Sequence, residues 1–99
     1  MDKVYAVIVE ETDYYDEQSE NTSTYFYLFE VKKDAESYKQ DLIDAYILEF
    51  MDRLGCTEDE LYDEWLEINE SEIYNRIRLE AEDVFSVLLY IEEKPIMKF

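Results

Sequence analysis

Carboxylates outnumber every other reactive side chain in this sequence. Its 99 residues hold 27 Asp and Glu against nine Lys and Arg and no His, a formal charge of −18. Without His there is no imidazole acid or base, no His-ligated metal and no His-assisted nucleophile. One Gly and one Cys rule out a glycine-rich phosphate cradle and a thiolate metal cluster. Two carboxylates can hydrolyse a glycoside when a cleft raises one pKa, but among 27 acids some pair is always close, so their spacing selects nothing. The oxygen-rich stretches Asp13 to Asn21 and Glu58 to Glu67 lack the spacing and turn glycine of a calcium loop. Cys56 follows Gly55 with nothing basic adjoining it to lower its pKa, and reads as a small packing residue. The expectation is a protein without catalysis, cofactor or metal.

What remains is the pattern of the acids. Between Lys39 and Arg76 twelve acids meet one base, Arg53, a net charge of −11. On a helix, Asp41, Asp44 and Asp52 share one face with Leu48 between them. A following helix would set Glu60, Asp63, Glu64 and Glu67 outside its Trp65 face. Carboxylates three or four residues apart stand about 5–6 Å from one another, close to the interval of phosphates along a nucleic-acid strand. The bland alternative is that acidic helices are merely soluble. Against it, the Lys residues that would stabilise such rows at i, i+4 are nearly absent. A second cluster, Glu10, Glu11, Asp13, Asp16, Glu17 and Glu20, surrounds Tyr14 and Tyr15. Tyrosines give large contact area for little entropy loss, so a pair ringed by acids suits a basic groove; a loop with incidental aromatics is the competing reading. Partner-binding candidates are therefore Asp41, Asp44, Leu48, Asp52, Glu60, Asp63, Glu64, Glu67, Tyr14, Tyr15, Asp16 and Glu17.

Short, poor in Cys and strongly acidic, the chain resembles the small phage-encoded DNA-mimic inhibitors, the anti-restriction and anti-CRISPR proteins. The likeness is one of composition and size over the whole chain, and no residue is carried over by it. It implies a non-catalytic inhibitor that occupies the basic nucleic-acid-binding surface of a host defence protein, a CRISPR effector or a restriction enzyme. The partner would be a basic protein rather than nucleic acid or membrane, both of which repel so acidic a surface. Two other readings stay open: an immunity or antitoxin protein neutralising a basic nuclease toxin, and an adaptor that homodimerises through a Tyr-rich sheet face formed by Tyr5, Tyr25, Tyr27 and Tyr90.

The elements that must position these groups follow from hydrophobic period. Length fits one domain over residues 1–99, and 47% hydrophobic residues argue that it folds. One Cys, no signal-like N-terminus and no apolar run near the roughly 20 residues of a span place it in the cytoplasm. Alternation predicts strands over Lys3 to Glu11, Ser23 to Lys32 and Val84 to Glu92, with a long hairpin loop from Thr12 to Thr22. Ala35, Tyr38, Leu42, Ala45, Tyr46 and Phe50 recur at helical spacing between an Asp34 cap and a Gly55 stop. Thr57 to Glu60 has the capping-box pattern of a second helix carrying Leu61, Tyr62, Trp65 and Ile68. Ile73, Tyr74, Ile77 and Ala81 lie on a face rotated from that set, which predicts a break near Asn69 to Ser71 and a third helix. The expected fold is α+β, order β-β-α-α-α-β, a three-stranded, mainly antiparallel sheet with the first strand central and helices on one face.

Overall fold

A continuous apolar run from Val4 to Val9, buried on both faces from Ala6 to Val9, makes the first strand the spine of one half of the sheet. The structure, a computed structural model, describes residues 3–16, 19–72, 75–81 and 85–95. In chain order it runs β1 (Lys3–Asp16), β2 (Ser19–Phe29), α1 (Lys32–Leu54), a one-turn helix α2 (Glu58–Glu60) continued by a π-helical turn (Leu61–Trp65), then β3 (Leu66–Ser71), β4 (Arg76–Ala81) and β5 (Phe85–Pro95). The five strands form one antiparallel sheet in the order β2-β1-β5-β4-β3.

This corrects the expected three strands and three helices. In place of the expected third helix and the end of the second, the described residues form the antiparallel strands β3 and β4; Ile73 and Tyr74 lie outside the described residues. Ile77 and Ala81 are four apart and so satisfy both the helical period and the strand period. Leu79 separates the two: a helix would turn it away from Ile77, whereas here it is fully buried beside Ile77 and Ala81, with Arg76 and Arg78 exposed. Ile68 sits opposite Leu79 and Leu66 opposite Ala81. Asn69 to Ser71, expected to break a helix, is strand, and the reversal comes later, where Asn75 adopts φ 50° and donates its backbone N–H to Glu72 O at 3.2 Å.

Of the long loop expected from Thr12 to Thr22, residues 12–16 and 19–22 are likewise strand, and Glu17 and Gln18 lie outside the described residues. Pairing of β1 with β2 continues through Thr12↔Thr22 and Asp13↔Asn21 to Asp16↔Ser19. The threonines of this stretch favour extended backbone.

Helix α1 starts two residues before the expected cap: Val31 is the N-cap, without a side-chain bond, and Asp34 stands in the first turn, where its charge suits the helix dipole. Gly55 ends it in the left-handed region at φ 63°, and the Cys56 N–H reaches back to Met51 O. The Thr57–Glu60 capping box forms, but the helix it opens lasts one turn.

One face of the sheet packs under α1. Val7, Val9, Leu79, Phe85, Val87 and Leu89 form a continuous core with Ala35, Tyr46, Ile47 and Phe50 of the helix. Trp65 and Cys56 pack half-buried at its margin. Ala45, expected on the core side, is exposed. Tyr5, Tyr25 and Tyr27 share the covered face with Val7 and Val9, by register, while Tyr90 sits opposite Ile8 on the other. The Tyr-rich open face expected from the sequence is therefore not one face, and Tyr27 packs against Tyr38 of α1 with ring centroids 4.9 Å apart.

The β4 register yields a direct test. Leu79→Ala should cost about 2–5 kcal/mol in urea unfolding, as deletion of a buried leucine does. Arg78→Ala, which touches only a solvent-screened pair with Glu80, should cost less than about 1 kcal/mol. Equal effects would contradict the strand.

Candidate protein-binding surface

Two carboxylates on β1 lie under α1, and the sequence supplies each with a donor. Tyr46, buried at the helix–sheet junction, donates its phenol O–H to Glu11 Oε1. Burial and that hydrogen bond raise the Tyr46 pKa well above its ordinary value, with the charges of Glu11 and Glu49 adding to the effect. Arg53 lies over the Phe85 ring, 4.1 Å from its centroid, and joins Asp13 of β1 to Glu49 of its own helix, the latter at 3.0 Å. Burial alone would lower the Arg53 pKa; the hydrogen bonds to Asp13 and Glu49 outweigh it and raise it.

Three other described cations pair locally, and a fourth is buried. Lys3 pairs with Glu93, Lys94 with Glu92 and Arg78 with Glu80. Lys39 is 7% exposed on the core side of α1, and its Nζ donates to Asn75 Oδ1 at 3.4 Å. Burial lowers its pKa, partly offset by Glu70 and Glu36. Sequence reasoning missed this lysine, although its spacing of four from Ala35 and three from Leu42 puts it on the core face.

Asp41, Asp44, Leu48 and Asp52 are all exposed on α1, Leu48 at 65%. Among the described residues no ion pair engages these three aspartates; Asp44 accepts only a hydrogen bond from Gln40 at 3.1 Å. This row is brought together as the sequence predicts. The second is not. Glu60 belongs to α2 and its carboxylate closes the capping box, accepting from Thr57 Oγ1 at 3.0 Å. Asp63 and Glu64 are exposed in the π-helical turn, next to Tyr62. Glu67 lies in β3 opposite Glu80, on the sheet face turned away from α1. Three elements thus divide what one straight helix was expected to present. Tyr14, Tyr15 and Asp16 are placed in β1, but their side chains lie outside the described set, and Glu17 lies outside the described residues.

A cleft of about 590 Å³ opens between α1 and the β3–β4 hairpin, with Lys39, Ile43, Tyr62, Ile68, Glu70 and Asn75 among its walls. Its volume suits a small ligand, yet its one buried cation is already hydrogen-bonded to Asn75. Among the described residues no three His, Cys, Asp or Glu are grouped to hold a metal. No helix of the described residues is long and apolar enough to cross a membrane.

The Tyr46–Glu11 pair sets a pH dependence. The folded phenol holds its proton more tightly than the unfolded one, so its contribution is complete below the unfolded value of 10.0 and is lost as pH rises above it. Tyr46→Phe should cost about 1–3 kcal/mol at neutral pH, because Glu11 loses its donor. In urea unfolding followed to alkaline pH, the variant should also lose stability less steeply above about pH 10, the ordinary tyrosine value. An unchanged alkaline slope would exclude Tyr46 as its source.

Set against known proteins, the chain matches no family model, no curated protein and no solved structure.

Proposed function

We propose that the protein is a non-catalytic inhibitor that docks its carboxylate row onto the basic nucleic-acid-binding surface of a defence protein, a CRISPR effector or a restriction enzyme. The observation that carries this reading is the exposed row Asp41, Asp44 and Asp52, which no ion pair among the described residues engages. Such a row is poor economy for stability alone. Like charges on a helix face oppose folding by a few tenths of a kcal/mol per pair, and Arg53 of the same helix pairs with Asp13 and Glu49 instead.

Geometry supports the same reading. Along α1 the row from Asp41 to Asp52 spans about 17 Å at 1.5 Å per residue, about half of one turn of duplex DNA, about 34 Å. Leu48 in the row gives an apolar contact where ionic contacts alone would confer little specificity. Asp63 and Glu64 add charge beyond the end of α1. Lys and Arg that normally meet phosphates would meet these carboxylates, and the affinity would fall steeply with salt.

The test is capture of a partner from a bacterial lysate at low and high salt, followed by competition with duplex DNA. Release by both is expected. Reversal of Asp41, Asp44 and Asp52 to Lys should lower affinity at least about a hundredfold while leaving the circular dichroism and melting transition of a folded domain. A partner that ignores both salt and DNA would overturn the reading, and one that is a lone nuclease toxin, released by salt and not by DNA, would make the protein an immunity factor.

A further inference from the structure

The two edges of the sheet are treated differently. β3, at one edge, is six residues long and exposes Glu67 and Glu70. Short length and charge are the usual protections of an edge strand. β2, at the other edge, is eleven residues long, and its segment Thr22 to Phe29 (Thr-Ser-Thr-Tyr-Phe-Tyr-Leu-Phe) carries no charged residue. Among the described residues it pairs with β1 alone. Among the described residues, no backbone hydrogen bond from a turn, loop or cap reaches its outer side. Phe26 and Leu28 are 62% and 67% exposed, on the face away from α1, beside Ile8 and Ala6.

We propose that this edge is a self-association surface: two copies pair antiparallel through Thr22 to Phe29 and join their sheets into one of ten strands. Charge selects a second copy as the occupant. A molecule carrying −18 can approach another only where carboxylates are missing, and Thr22 to Phe29 is such a stretch; a basic strand would gain nothing from a neutral edge. Symmetry then restricts the register. A two-fold axis perpendicular to the sheet keeps each face continuous, so some residue must lie opposite itself. Centring on Tyr27 sets Phe26 of each copy against Leu28 of the other, and Tyr25 against Phe29. Centring on Tyr25 would instead place Phe26 against Thr24. The first register buries the exposed apolar pair and is the one expected.

A single strand edge is smaller than the roughly 800 Å² per partner of a standard interface, so the dimer should be weak and concentration-dependent. Repulsion between the two acidic bodies should weaken it further at low salt. Sedimentation equilibrium of the full chain, in about 0.05 M and about 0.5 M NaCl, should therefore show a dimer fraction that rises with both protein and salt. Binding to a basic partner shows the opposite salt response, so the two proposals can fail separately. Phe26→Glu should weaken the dimer at least about tenfold by setting a carboxylate against the facing strand, with the circular dichroism unchanged. Leu28→Glu should do the same and decides the matter if Phe26→Glu does not fold, whereas Leu48→Glu on α1 should dimerise as the parent does. A monomer at all concentrations and both salts, a dimer that salt dissociates, or a dimer indifferent to the β2 charges would overturn the proposal.

Discussion

Mutual repulsion among carboxylates is the constraint to which every part of this fold responds. A domain of 99 residues with a net charge of −18 has its main core between one face of a sheet and one face of a helix. Its apolar contacts must outweigh both chain entropy and the self-repulsion of its surface. The arrangement that results keeps acids off the helix–sheet junction unless a donor meets them there. Glu11 has Tyr46 and Asp13 has Arg53.

Those two contacts also tie the helix to the sheet at one end of the core. Arg53 is held by Asp13, Glu49 and the face of Phe85 at once, so the one base of the acidic segment is fixed in place and cannot neutralise Asp52 beside it. Phe50 and Tyr46 pack on Phe85 in the same region, with centroids 5.2 and 6.3 Å from it. The outward face of α1 is consequently left acidic by the same interactions that anchor its inward face. Anchoring of this kind keeps the exposed carboxylates on a rigid element, which is what recognition of a basic surface requires.

Much of this was legible in the residues, and the failures have a common physical origin. Strands at both ends of the chain, the long helix and its Gly55 stop follow from clean periods of two and of 3.6. The segment from Leu66 to Ala81 misled because Ile77 and Ala81 satisfy both periods, with Leu79 alone between them to mark the strand, and because the capping box at Thr57 signals a helix start without signalling its length. Burial of Leu79 and Ile77 against β5 selects the strand, and such long-range pairing is invisible in a local window. The α1 row survives intact, since Asp41, Asp44 and Asp52 share a real helical face. The row from Glu60 to Glu67 does not, since a π-helical turn and a strand replace the helix it presupposed. Polar residues from Thr12 to Thr22 read as loop because polarity, rather than the β-branching of the threonines, dominated the local signal.

The most direct measurement is the stability of a chain in which Asp41, Asp44 and Asp52 are changed together to Asn, compared with the parent across ionic strength. Asp41 and Asp44, three residues apart, stand about 5–6 Å from one another and repel in water by somewhat under 1 kcal/mol, while Asp52, eight residues beyond Asp44, is about 12 Å away and adds little. If the row is an uncompensated strain, the neutral variant is the more stable by about 0.2–0.5 kcal/mol at low salt, and the difference vanishes in concentrated salt. If the variant is less stable than the parent, or gains nothing at low salt, the aspartates are stabilised within the fold and the account is wrong.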